Sequence, residues 1–237
     1  MGHSFELPHE AVVDATPEQV WEAISTGPGI DSWFMGRNEV AGGVVRTAFG
    51  GMDLPASPVT AAERPERFAH GGEEAEDGRF VAYEFLVEGR GRGSALVRMV
   101  TSGFLPGDDW QDEFEAMSHG IAMFFATLVE YLSRFPGRTG TPVTEFGPPV
   151  DDWPRAWKVL YDSLGGPPSP GDRVRFGPSS TEGVVYFRDA QALGIRAEDG
   201  LYRFLQGFHG PMIAAHVLFG GPDEGPRWRA WLEEPYA

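Results

Sequence analysis

The sequence predicts an α+β protein in which antiparallel strands curl along one long helix, followed by a smaller α+β half. Three observations carry this. Trp110, Phe114, Met117, Ile121, Phe125, Leu128 and Leu132 recur at spacings of three and four within residues 108–134. They form one apolar helical stripe, about 33 Å long at the usual rise per residue. Just before it, residues 80–88 and 94–104 alternate on either side of a glycine-rich turn, as a β-hairpin does. Finally, the order short helix, strands, closing helix occurs twice, which points to a degenerate second copy, shortened. A long helix laid along a curved sheet can enclose an apolar cavity, and a cavity can hold a ligand.

The elements follow in order. Residues 5–13 place Phe5, Leu7, His9, Ala11 and Val13 on one face at period two, a strand. Thr16 then suits a helix N-cap, Pro17 the first helical position and Gln19 the third, a capping box. This short helix buries Val20, Trp21 and Ile24 and stops at Gly27-Pro28-Gly29, after which Trp33 and Phe34 come together near a turn. Strands are expected at 44–49, 59–62 and 67–69, then the hairpin and the long helix. Residues 136–149, rich in proline and glycine, read as a linker between a domain at 1–135 and a smaller one at 150–237. In the latter, Trp153, Trp157, Leu160 and Leu164 mark a helix. Strands follow at 172–176, 183–187, 194–197, 201–205 and 212–219, with Asp199-Gly200 as a hairpin turn. A short helix around Trp228 and Leu232 closes the chain.

Centring the long hairpin on Gly91 pairs residue 84 with 98 and 86 with 96. One face then collects Val81, Tyr83, Phe85 and Val87 against Ala95, Val97, Met99 and Thr101, without a charge, and belongs under the helix. On the other face Glu84 would oppose Arg98 as a cross-strand ion pair. The glycines of the turn join two strands rather than a strand and a helix, so they do not form a phosphate cradle. The outer face of the long helix carries Ala116, His119, Met123 and Ala126 at its middle, where an exposed helix would carry charges. That face is expected to be covered, by the second half of the chain or by a second subunit in a homodimer, with His119 as a packed or rim histidine.

Composition narrows the function. The net charge of −16 disfavours nucleic acid and anionic membranes as partners. The absence of cysteine excludes disulfides, thiolate catalysis and zinc–thiolate sites. The acidic run Glu73, Glu74, Glu76, Asp77 lies among glycines and reads as a solvated loop, not a metal site. No segment has the apolar core of a signal peptide or the length of a membrane span, so a cytoplasmic location is expected. A single lysine, Lys158, against many arginines reflects coding bias in a GC-rich genome.

The run Ala-Thr-Pro-Glu-Gln-Val-Trp at 15–21, Ser-Trp-Phe at 32–34, Thr-Ser-Gly-Phe at 101–104, Trp110 and His119-Gly120, in that order, resembles the START-like, or SRPBCC, superfamily. Within it the chain looks like the branch named for the C-terminal domain of the activator of heat shock protein 90 ATPase. The resemblance covers residues 5–135. Members of this branch often carry Trp directly after the helix glycine, where this chain has Ile121. The resemblance implies a helix-grip fold: an antiparallel sheet wrapped around a C-terminal long helix, two short helices at one end, and a hydrophobic cavity. It fixes no activity, because the superfamily includes lipid carriers, hormone receptors, polyketide cyclases and co-chaperone modules.

The reading favoured by the residues is a binding protein for a small hydrophobic or amphipathic molecule, without cofactor, metal or catalytic machinery. Its expected lining is Trp33, Phe34, Tyr83, Phe85, Met99, Phe114, Met117, Ile121 and Phe125. A cyclase- or dehydratase-like enzyme is the first alternative. It would have to work with Tyr83, Thr101 and His9 in the interior, and with His70 and Asp53 in loops near a mouth. A protein-interaction module, co-chaperone-like, is the second, though no docking motif supports it.

Overall fold

The computed structural model describes residues 2–108, 110–207, 210–220 and 224–234. The first half runs β1 (His3–Val13), α1 (Pro17–Ser25), α2 (Gly27–Asp31), β2 (Arg37–Ala41), β3 (Val44–Phe49), β4 (Met52–Asp53), β5 (Ser57–Glu63), β6 (Arg67–Gly71), β7 (Phe80–Arg90), β8 (Ser94–Leu105) and α3 (Trp110–Arg134). The second half continues with β9 (Thr141–Pro149), α4 (Trp153–Ser163), β10 (Arg173–Phe176), β11 (Thr181–Arg188), β12 (Ala192–Arg196), β13 (Gly200–Gln206), β14 (Pro211–Leu218) and α5 (Gly225–Glu233).

The first sheet has the order β1-β8-β7-β6-β5-β3-β2, with β4 paired to β3. Its first strand thus lies beside its last, and α3 runs against those two, β1 and β8. This is the helix-grip arrangement. The second sheet, β10-β11-β12-β13-β14-β9, repeats the device. Its first strand β9 lies beside its last strand β14, and α5 packs on that pair. The second half is therefore a reduced copy of the first in topology, with α5 much shorter than α3.

Residues 141–149, read from composition as linker, are strand β9. Proline is tolerated there because β9 is an edge strand whose single neighbour is β14. A second difference lies after α1. Thr26 ends that helix and caps a new one, its hydroxyl accepting from the Gly29 N–H at 3.1 Å, so Gly27-Pro28-Gly29 opens α2 rather than a loop. Gly29 is required there, since a Cβ would stand 1.9 Å from the Glu22 carbonyl oxygen.

The two halves share one core. Buried residues of β1, α1, β7, β8 and α3 form a continuous cluster with Ala192, Leu201, Leu205, Ala215 and Val217 of the second sheet. The opposite face of that sheet buries Leu193, Ile195, Tyr202 and Phe204 against Trp157 and Leu160 of α4 and Trp228 and Leu232 of α5. The layers are therefore first sheet, α3, second sheet, then α4 with α5. The outer face of α3 meets β11, β12 and β13, and Met123 is fully buried. The cover expected for this face is the chain's own second half. His119 sits at its rim, its Nδ1 2.7 Å from an Asp189 carboxylate oxygen.

Candidate ligand site in the helix grip

The inner surface of the first sheet is set by strand register. Val87 pairs with Val97, Phe85 with Met99 and Tyr83 with Thr101. This is one pair away from the register drawn from the turn sequence, because the turn centres on Arg92, which adopts φ 69° and is followed by Gly93 at φ 80°. A shift of two residues leaves the faces unchanged, so the uncharged face does lie inward. The ion pair does not survive the shift. Glu84 opposes Val100, and its carboxylate accepts from Arg67 Nε at 2.7 Å, while Arg98 opposes Leu86.

Two inward rows cross the sheet. One is Leu7, Thr101, Tyr83 and His70, and the next is His9, Met99, Phe85 and Phe68. His70 therefore stands on β6 and not in a loop, stacked on Tyr83 with ring centroids 5.1 Å apart. The strand continues past Ala69 because His70 and Gly71 pair with Tyr83 and Ala82. Asp53 lies on β4 and is exposed. His9 faces Phe125 of α3 at 5.4 Å.

The expected lining residues fall into two groups. Trp33, Phe34, Phe85, Met99, Ile121 and Phe125 are buried in the shared core. Tyr83, Met117 and Phe114 are half-buried. The stripe of α3 is graded: Leu128 and Leu132 are sealed, Ile121 and Phe125 nearly so, and Met117, Phe114 and Trp110 remain partly accessible. Strand β7 is graded the same way, from buried Val87 and Phe85 to partly accessible Tyr83 and Val81. At that accessible end His3 stacks on Trp110 at 4.0 Å, and Phe114 lies 5.6 Å from Phe5. A Cβ at Gly120 would meet nothing within 4 Å.

Phe34 spans the gap between helix and sheet, with ring centroids 5.0 Å from Phe124 and 5.7 Å from Tyr83. Its segment is held from several sides. Trp33 Nε1 donates to the Ala23 carbonyl at 2.9 Å. The buried Asp31 carboxylate accepts from the Asn38 backbone N–H at 2.5 Å and from its side-chain amide at 3.1 Å. The Gly140 N–H donates to Ser32 Oγ at 2.9 Å. From the second half, the Arg203 guanidinium donates to the carbonyls of Trp33, Phe34 and Ala215, with its Cζ 5.1 Å from the Phe124 ring centroid. Arg203 is 1% exposed, and among the described residues no carboxylate pairs with it. Burial pulls its pKa down to about 10, which leaves it charged at neutral pH.

The titratable groups of the inner rows are neutral at pH 7. Burial lowers His70 to about 4 and raises Tyr83 to about 12, and it also lowers His9. Among the described residues, Thr101 Oγ1 and His70 Nδ1 are buried without a hydrogen-bond partner. The sequence placed Thr101 inside and offered His70 only as a loop residue near a mouth, because its strand extends to Gly71 through pairing with β7.

A cavity of about 220 Å³ lies in the second half, between α4, β14 and α5, lined by Leu160, Met212, Trp231 and Leu232 among others. No group of metal-ligating side chains occurs among the described residues, and no helix there is long and apolar enough to cross a membrane.

No family model matches the sequence, and no curated protein matches it. Among solved structures, the chain is similar to the Aha1 dimer of Colwellia psychrerythraea at 20% identity, covering 54% of this chain and 96% of that one with a TM-score of 0.43. It is also similar to the di-domain ARO/CYC BexL of the BE-7585A biosynthetic pathway, at 15% identity over 93% of this chain and 86% of that one, TM-score 0.47. CalU16 of Micromonospora echinospora is similar at 15% identity over 56% of this chain and 87% of that one, TM-score 0.40. The likeness is one of fold.

Proposed function

We propose that this protein binds a small hydrophobic or amphipathic molecule between the N-terminal half of α3 and the inner faces of β6, β7 and β8. The observation that carries this is the matched gradient along helix and sheet. Along α3 and along β7 alike, apolar side chains are sealed towards one end and partly accessible towards the other. A solid core has no reason to leave Phe114, Met117, Val81 and Tyr83 open on both walls at the same level, whereas a ligand site requires it. Phe34 and Tyr83 form its floor, and Trp33, Phe85, Met99, Ile121 and Phe125 support that floor from the sealed end. On this reading residues 1–135 carry the site and residues 150–237 brace it. The polar row offers no carboxylate to tune an imidazole, so the reading is binding without turnover.

The test is a fluorescence titration with the neutral probe N-phenyl-1-naphthylamine. Saturable emission is expected, with thermal stabilisation that grows with probe concentration, ~2.7 kcal/mol at a hundredfold excess over Kd. Met117→Trp fills the accessible end and should weaken binding at least tenfold while the variant still unfolds cooperatively. Emission that never saturates, or a Met117→Trp protein that binds as tightly as the parent, would refute the reading.

A further inference from the structure

We infer that Thr101, Tyr83 and His70 form a polar subsite in the wall of the grip, which takes the uncharged oxygen function of an otherwise apolar ligand, a hydroxyl or a carbonyl. This rests on the binding reading above and specifies the ligand. The three residues are consecutive across β8, β7 and β6 in one inward row. Thr101 is 0% exposed and His70 8%, and neither Thr101 Oγ1 nor His70 Nδ1 has a partner among the described residues. Burying a polar group unpaired costs about 1–3 kcal/mol. Two such groups flank Tyr83 in one row, and His9 Nδ1 in the next row is a third, in a wall otherwise built of Leu7, Met99, Phe85 and Phe68; they indicate a partner that comes with the ligand.

The chemistry of the row selects that partner. The Thr101 and Tyr83 hydroxyls can both donate, and Thr101 and the neutral His70 ring can also accept. Tyr83 remains protonated and His70 uncharged at neutral pH. A carboxylate or an ammonium would find no counter-charge in this row and would lose its water on arrival. An oxygen that accepts from Tyr83 or Thr101, with or without a proton to give to His70, would satisfy groups the protein leaves open.

The test compares three probes of one shape, naphthalene, 2-naphthol and 2-naphthoate, by fluorescence titration at neutral pH. The wild-type protein should bind 2-naphthol at least tenfold more tightly than naphthalene, and 2-naphthoate more weakly than either. Thr101→Val, which keeps the shape and removes the hydroxyl, should lose most of that preference while retaining naphthalene binding. It should also unfold at a temperature no lower than the parent without ligand, because an unpartnered hydroxyl is gone. His70→Phe should lose part of the preference and keep the stacking on Tyr83. Equal binding of naphthalene and 2-naphthol by the wild type overturns the subsite and leaves the binding reading standing. Binding of none of the three overturns both. Tighter binding of 2-naphthoate, an unchanged preference in both variants, or a Thr101→Val protein that melts earlier each assigns these groups another role.

Discussion

His70 and His216 are both buried and both held neutral, the first with its pKa near 4 and the second well below the ordinary imidazole value. In each case burial is the principal cause, and for His216 the nearby Arg203 charge adds to it. An unfolded histidine takes up its proton near pH 6.5. The native state therefore binds fewer protons than the unfolded chain below that pH. The stability this contributes is fully present above about pH 6.5 and is lost as pH falls towards 4. For His70 alone the loss is roughly 3 kcal/mol. Urea midpoints measured between pH 7 and pH 4 should fall steeply for the parent and less steeply for His70→Phe. An identical slope in the two proteins would show that His70 is not buried neutral. Arg203 makes a separate demand. Removing its guanidinium leaves the Trp33 and Phe34 carbonyls buried without their donor, so Arg203→Met should cost about 3 kcal/mol by urea unfolding. Arg203→Lys should recover little of it, since a point charge cannot span both carbonyls. Arg203 was not legible in the sequence, and His70 was legible only as a loop residue near a mouth. His70 lies in a strand whose end is expected at residue 69 and is observed two residues later, at Gly71. Arg203 sits in β13, which is buried on both faces, so alternation there carries no inward or outward signal.

At the scale of elements, what could be read was what repeats or caps. The α3 stripe is right because each of its members meets the sheet or the core, and the α1 start is right because the capping box is complete, with Thr16 and Gln19 bonding reciprocally. Thr16→Ala should cost about 1 kcal/mol in chemical denaturation. An unchanged midpoint would show that Gln19 and Pro17 suffice. The hairpin was legible in its faces and not in its register. A glycine-flanked turn suggests symmetry about Gly91, but Arg92 takes the left-handed conformation that glycine usually supplies, and the ladder moves by one pair. Strand β9 was hidden by its prolines, which a central strand would exclude and an edge strand accepts. In both cases the deciding fact is a neighbour: the partner strand fixes the register, and the sheet edge excuses the proline.

At the scale of the molecule, α3 is the shared beam of two sheets. Its covered middle could be anticipated from Ala116, Met123 and Ala126, but the choice between a second subunit and the second half lies in long-range pairing that one sequence does not display. A protein truncated after residue 136 would expose Met123, Phe124 and Tyr131, all buried in the full chain. It should associate or aggregate, and light scattering with near-ultraviolet circular dichroism would detect this. A monomeric fragment with cooperative melting and native aromatic dichroism would show instead that the first half folds alone.

The pairing of β9 with β14 has a temporal consequence. As the chain leaves the ribosome, the first sheet is complete once β8 has emerged, but β9 has no partner until β14 follows, after every other strand of its sheet has been made. Through that interval α3 lacks the cover of β11, β12 and β13 until these strands appear in turn, and a proline-rich edge waits unpaired. Proline and the absence of a long apolar alternation in β9 make it a poor template for a neighbouring nascent chain. The same residues that disguise the strand as a linker protect it while it waits.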